Sequence, residues 1–214
     1  RGGGCGGGRV GVRAASDTSV LQEVKVPDPE LWSVDAPSLY RAVSTVRIGG
    51  RAVDRYETPF GIRFMRFDAD QGFFLNGEPL KILGVCLHHD LGCLGTAINR
   101  RALERQLEIL KEMGCNAIRT SHNPPAPELL ELCDRMGFLV QDEAFDMWRK
   151  RKSEYDYSRD FPEWYERDLT DHILRDRNHP SVFMWSIGNE VYEQFDDVRA
   201  DTLTLQQANV LLNV

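Results

Sequence analysis

No apolar run in this 214-residue chain approaches the roughly 20 residues needed to cross a bilayer. Positive charge is short: Lys+Arg number 26 against 33 Asp+Glu, leaving a formal net charge of −7. That balance lacks the basic stripe of a nucleic-acid binder and the polybasic patch of a membrane-surface protein. Neither nucleic acid nor membrane is therefore an expected partner. The five cysteines cannot close into disulfides within one chain, because their number is odd. They show no CxxC or zinc-ligand spacing, so free thiols serving mostly as small core residues are expected. The chain opens on Arg1 rather than Met, and no charged-then-apolar leader follows. Gly occupies positions 2, 3, 4, 6, 7 and 8 around Cys5, a run that buries no side chain and reads as flexible. Both features suggest that the natural amino terminus lies elsewhere. Compartment and oligomeric state are left open.

What is present is an ordinary globular composition, 42% hydrophobic and 28% charged, sufficient for a buried core. Residues 20 to 63 read as β structure. Val20 to Val26 partly alternates and stops at Pro27-Asp28-Pro29. The stretches Tyr40 to Ile48 and Ala52 to Tyr56 flank Gly49-Gly50, a two-residue turn suited to a hairpin. A second hairpin signal runs from Phe73 through Asn76-Gly77 to Leu80. These strands are too few for a whole immunoglobulin-like sandwich and read as the tail of one.

After Leu80 the pattern changes. Leu80 to Leu87 is an apolar run, as expected for a strand buried on both faces. Asn99 caps a predicted helix over 100–113 that ends at Gly114. Asn116 to Arg119 is a short strand, and Pro127 opens a helix that ends at Gly137. Phe138 to Val140 is the third strand. Asp160-Phe161-Pro162-Glu163 reads as a capping box opening a helix toward Arg177. Ser181 to Ile187 is the fourth strand, and Asp197 to Asn213 reads as helical. Four βα units in succession imply parallel strands with crossover helices, without sequence repeats between units. A doubly wound nucleotide fold would place a Gly-rich phosphate loop after the first strand. Here that strand runs into His88-His89-Asp90, which favours a (β/α) barrel.

Barrel active sites form at the carboxyl ends of the strands. The first predicted strand ends at His88, His89 and Asp90, and the second runs into Arg119-Thr120-Ser121-His122. The third ends at Asp142-Glu143 and the fourth at Gly188-Asn189-Glu190. All four ends carry His, Arg or carboxylate groups while the strand interiors are apolar, so a converging site is expected. Glu190 is the sharpest candidate. Buried near Trp185, its carboxyl would be expected to titrate high and so to deliver a proton at neutral pH. The plainer alternative is a structural carboxylate paired with Arg119. The Glu193-Asp196-Asp197 cluster reads as a solvated helix start.

The stretch from Asp176 to Glu190, DRNHPSVFMWSIGNE, resembles the acid/base signature of glycoside hydrolase family 2, which includes β-galactosidases, β-glucuronidases and β-mannosidases. Asn116 to Pro125, NAIRTSHNPP, is similar to the family's other signature. Leu31 to Tyr40 and Glu57 to Arg63 resemble its last immunoglobulin-like module and the junction with the barrel. The resemblance implies the first half of a (β/α)8 TIM barrel, about four βα units over residues 64–214. The Gly-rich start and the end of an immunoglobulin-like β-sandwich would fill residues 1–63. It implies an exo-β-glycosidase that retains configuration, a β-galactosidase first, with carbohydrate as partner. Glu190 would be the general acid/base. Asn189 would bond the sugar 2-hydroxyl, and His88 and His122 would bind sugar. Arg119 would sit beneath the nucleophile, Asp142 and Glu143 would form the third-strand acidic pair, and Trp148 would be either a stacking wall or a core aromatic.

Two departures qualify this. Magnesium-dependent β-galactosidases carry Glu-x-His soon after the acidic pair. This chain has Phe145, Asp146, Met147, Trp148 and Arg149 there, so no metal and no cofactor is expected. The family's nucleophile, a second Glu near the end of the seventh strand, has no counterpart here. Residues 64–214 number about 150, against the ~250 of a complete barrel. Residues 1–63 likewise fall short of the ~100 of a sandwich. A fragment, inactive and poorly soluble alone, is the expectation. Two other classes compete: a non-catalytic sugar-binding module, and a metal-dependent hydrolase using His88, His89, His122 and Glu190. Adjacent histidines on a strand face opposite ways, which weighs against the metal reading.

Overall fold

The computed structural model describes residues 4–195. The predicted helix over 197–213 lies outside them, as do Asp196 and Asp197 of the acidic cluster. The chain divides into two units, Arg1–Glu30 and Leu31–Val214. Within the first, residues 4–30 form no strand or helix and are almost wholly exposed, so the strand expected over Val20–Val26 is not formed. Its apolar residues have no buried face to turn toward: Leu21 is 99% exposed.

The second unit begins with β1 (Tyr40–Ile48) and β2 (Arg51–Phe60), an antiparallel hairpin turned at Gly49-Gly50. Both turn glycines have positive φ, +57° and +85°, which a two-residue turn of this hand requires. β3 (Met65–Asp68), β4 (Gly72–Leu75) and β5 (Glu78–Pro79) follow as a three-stranded antiparallel sheet.

Next comes a four-stranded parallel sheet in the order β6 (Gly84–His88), β7 (Ala117–Ser121), β8 (Leu139–Glu143) and β9 (Val182–Ser186). Its crossovers carry α1 (Arg100–Glu112), α2 (Pro127–Met136) and α3 (Phe161–Asp176). Asn99 caps α1 by accepting a hydrogen bond from Ala102 N at 3.0 Å. Pro127 opens α2 and Gly137, in the left-handed conformation, closes it. The capping box at Asp160 is not formed. The turn Tyr157–Arg159 runs straight into α3, leaving Asp160 already helical (φ −93°, ψ −23°) with its carboxylate on Arg159.

Two cores flank the sheet. Ile118, Val140 and Val182 pack on Leu103 and Leu107 of α1 and on Leu129, Leu130 and Cys133 of α2. Ala117, Leu139 and Phe183 pack on Trp32, Val34, Phe73 and Leu75. Burial of each large apolar side chain contributes about 1.5–3 kcal/mol. The first strand differs from expectation. β6 is an edge strand with neighbours on one side among the described residues, and Gly84, Cys86 and His88 are exposed. The cysteines also differ. All five are free, but only Cys133 is buried, while Cys5, Cys86 and Cys93 are exposed because they lie in a loop or on that open edge. No helix among the described residues is long and apolar enough to cross a membrane.

Candidate active site

Alternation along the strands decides which side chains meet at the carboxyl end of the sheet. Arg119 and Gln141 pair in register, and Glu143 pairs with Ser186. Glu143 is fully buried, with every approach to its carboxylate filled. Arg119 donates to it from Nε at 2.9 Å and from Nη2 at 2.7 Å. His122 Nδ1 lies 2.6 Å from Oε1, and the Ser186 hydroxyl donates to Oε2. Glu143 N in turn donates to the Thr120 hydroxyl at 2.9 Å. A carboxylate so enclosed holds Arg119, His122 and Ser186 in place and offers no free face to a ligand. The alternative pairing of Arg119 with Glu190 is thus replaced by pairing with Glu143.

Arg119 Nη2 also donates to Asn189 Oδ1 at 2.8 Å. The other end of that carboxamide, Nδ2, donates to Asp146 Oδ1 at 2.9 Å. Lys152 Nζ bonds the same Asp146 oxygen and the Asn189 carbonyl, both at 2.7 Å. Burial pushes the Asp146 carboxyl up, but Lys152 and Asn189 outweigh it and hold its pKa below the ordinary value. His88, exposed at the end of β6, meets His122 edge to face with ring centroids 5.2 Å apart. The structure therefore brings His88, Arg119, His122, Glu143 and Asn189 into one linked cluster.

Glu190 follows directly but is exposed rather than buried, because its strand, β9, has a neighbour on one side only among the described residues. Its backbone is left-handed, φ +42°. A non-glycine residue held there costs about 1–3 kcal/mol and is typical of functional sites. Gly188 before it has no room for a side chain: a Cβ would lie 2.9 Å from Trp148 Nε1.

Two predicted residues do not join the cluster. Trp148 is 4% exposed, donates from Nε1 to the Ile187 carbonyl at 2.7 Å, and stacks on Phe161. It is a core aromatic that braces the Gly188 loop from behind. Asp142 points to the opposite face of β8 from Glu143, as the strand period demands. Its Oδ1 lies 2.9 Å from His172 Nε2, which is also 3.3 Å from Asp176. Burial would push the His172 imidazolium down, but the two aspartates outweigh it and raise its pKa. Ligand atoms of Asp142, His172 and Asp176 lie within 4.8 Å of one another. Yet Nε2 is spent as a donor to the carboxylates, and Arg175 already pairs with Asp176 at 2.6 Å. His172 and Arg175 thus already serve the two carboxylates as an ion network, which is a poor fit for a metal, while Asp142 Oδ2 and His172 Nδ1 are buried without a hydrogen-bond partner among the described residues. The His88, His89, His122 and Glu190 set does not gather as metal ligands among the described residues.

Sequence reasoning missed Asp146 and Lys152. Asp146 stood in a stretch inspected only for a metal motif, and Lys152 ends the run Arg149-Lys150-Arg151-Lys152, which resembles a solvated loop. Glu193 does stand in the first turn of a short helix, Tyr192–Phe195, but it is not simply solvated: its Oε1 accepts from the backbone N–H groups of Arg149 and Lys150 and pins that same loop. A groove of about 570 Å³ leads from His122 and Asp146 past Tyr157 to Asp171 and Arg175 of α3.

A parallel α/β sheet whose strand ends converge on such a cluster defines part of a (β/α) barrel domain. The chain belongs to glycosyl hydrolase family 2. The family's TIM barrel domain matches residues 68–208, and a further family 2 domain matches residues 6–63. The chain is 64% identical over 200 residues to "Beta-galactosidase BoGH2A" of Bacteroides ovatus, covering 94% of this chain and 24% of that protein. A solved family 2 member from Bacteroides cellulosilyticus superposes with a TM-score of 0.83 at 44% identity, over 89% of this chain and 24% of the other. A Parabacteroides merdae β-glucuronidase superposes at 0.67 with 30% identity, over 80% and 20%. The chain thus spans about a fifth to a quarter of the length of these three relatives.

Proposed function

We propose that this chain supplies the acid/base half of the active site of a retaining exo-β-glycosidase acting on terminal β-D-galactosides. The reading rests on one observation. Glu190 stands at the end of the fourth parallel strand, next to an Asn189 carboxamide fixed at both ends by Arg119 and Asp146. Glu190 protonates the glycosidic oxygen while a second Glu, contributed from outside this chain, attacks the anomeric carbon. The Glu190 carboxylate then takes a proton from the water that hydrolyses the glycosyl-enzyme. Asn189 bonds the sugar 2-hydroxyl, and His88 and His122 bind neighbouring hydroxyls. Arg119 and Glu143 fix that platform from beneath. Residues 64–214 are the barrel portion and residues 1–63 the end of the preceding immunoglobulin-like module. The 64% identity to a β-galactosidase supports galactosides ahead of glucuronides or mannosides.

The test is hydrolysis of aryl β-galactoside, β-glucuronide and β-mannoside by the full-length polypeptide that carries this chain. Galactoside is expected to be cleaved fastest, with Glu190→Gln lowering the rate on an unactivated alkyl β-galactoside about 10²–10⁴-fold. A wild-type rate in that variant would sink the acid role. The 214-residue chain alone is expected to show no turnover.

A further inference from the structure

We infer that the Lys152–Asp146 ion pair is a positioning device for Asn189, an inference that rests on the reading of Asn189 as the 2-hydroxyl contact. The three residues form a closed ring. Asn189 Nδ2 donates to Asp146 Oδ1 at 2.9 Å, Lys152 Nζ donates to the same oxygen at 2.7 Å, and Lys152 returns to the Asn189 carbonyl at 2.7 Å. Side chain and backbone of one residue are thereby held from a single ammonium. The Lys152 side chain is 14% exposed and that of Asp146 37%, so the ion pair is shielded from water and salt on its lysine side.

The consequence is chemical as well as geometric. An amide can present either its oxygen or its nitrogen to a hydroxyl, and nothing in its own shape selects between them. Here Asp146, an acceptor only, takes an N–H, while Arg119, a donor only, takes the oxygen from the other side. The amide has one orientation, with one Oδ1 lone pair and one N–H left for a ligand. A carboxylate drawing on the N–H also makes Oδ1 a stronger acceptor, since linked hydrogen bonds polarise one another. That bond matters most when the sugar 2-hydroxyl becomes more acidic, as it does beside an oxocarbenium-like centre. Asp146 and Lys152 thus act through Asn189.

The test compares a 2-hydroxy aryl β-galactoside with its 2-deoxy counterpart in the full-length polypeptide. Asp146→Ala is expected to lower kcat/KM on the 2-hydroxy substrate by about 10–100-fold, the scale of a misplaced reacting contact. It should leave the 2-deoxy substrate near its unmutated rate. Lys152→Met should follow the same pattern more weakly, and Lys152→Arg should restore most of the activity. Equal losses on both substrates, or no loss on either, would overturn the positioning role while leaving the glycosidase reading intact. If the unmutated polypeptide cleaves no β-glycoside, that reading falls and this inference with it.

Discussion

Arg119 and Glu143 form a forked ion pair whose acidic half is completely buried while its basic half still reaches Asn189. Two neighbouring barrel strands are thereby joined at the ends where chemistry is expected. The pair contributes organisation more than stability, because a buried charge costs several kcal/mol to desolvate and recovers it only with its partners in place.

Removing one partner should therefore be worse than removing both. Arg119→Met leaves a buried carboxylate with His122 and Ser186 alone, and a loss of about 3–5 kcal/mol is expected. The double variant Arg119→Met, Glu143→Leu should recover much of that loss. Urea midpoints of the three proteins check this. A double variant no more stable than Arg119→Met would show that the pair itself is the stabilising element.

The assignment of Glu190 as proton donor also predicts a dependence on the leaving group. A galactoside with a strongly acidic aryl leaving group needs no protonation to depart, whereas an alkyl galactoside does. The first glycosylation step of Glu190→Gln should fall by about 10²–10⁴-fold on the alkyl substrate and far less on the activated one. Single-turnover rates separate that step from hydrolysis of the intermediate. Equal losses on both substrates would point to a role for Glu190 other than acid.

How much of this was legible in the sequence depended on the range of each interaction. The caps at Asn99, Pro127 and Gly137 and the turn at Gly49-Gly50 are set by residues within a few positions of one another, and the structure forms all four. Asp160 failed as a cap because the preceding turn, not its own chemistry, fixed its backbone. The gathering of strand-end residues could be read from topology, but the partition of Asp142 from Glu143 needed the strand's phase, which one-letter adjacency hides. The burial of Trp148 and the Lys152–Asp146–Asn189 ring were out of reach, since they join positions about 40 residues apart. Exposure of Glu190 was likewise unreadable, because burial at a strand end is set by neighbouring strands rather than by the strand itself.

The two helix-ending glycines offer a contrast. Gly114 and Gly137 both have positive φ, +87° and +71°. A Cβ at Gly114 would meet nothing, whereas at Gly137 it would lie 2.2 Å from the Val34 carbonyl oxygen, a backbone atom that cannot rotate aside. Gly114→Ala should cost only the left-handed penalty of about 1–2 kcal/mol. Gly137→Ala adds displacement of the segment that seats Trp32, whose indole Nε1 donates to the Asp134 carbonyl at 2.8 Å. Thermal midpoints should fall distinctly further for Gly137→Ala. Equal shifts would mean that the Val34 contact yields without cost.

His172 supplies a prediction about pH. Its imidazole faces Asp142 of β8 and Asp176 of its own helix, with Arg175 on the far side of Asp176 and the Trp185 ring edge-on at 5.4 Å. Burial works against the charged ring, but the carboxylates win and its pKa is raised. A base with a raised folded pKa contributes stability that is fully present below its unfolded value, near 6.5. That contribution disappears as pH climbs through the folded value. His172→Gln keeps an N–H donor for one aspartate but cannot carry the charge. The variant should therefore be less stable than the unmutated chain by about 3–5 kcal/mol near pH 6, as when one partner of a buried pair is lost. The gap should narrow as pH climbs from 6 through the raised folded value, where the unmutated imidazole also loses its proton. His179, raised in the same sense by Asp134 against its own burial, remains in both proteins and so cancels from the difference. Urea midpoints measured across that range decide the matter. A gap that stays constant with pH would mean that His172 packs between the aspartates without carrying the charge that joins them.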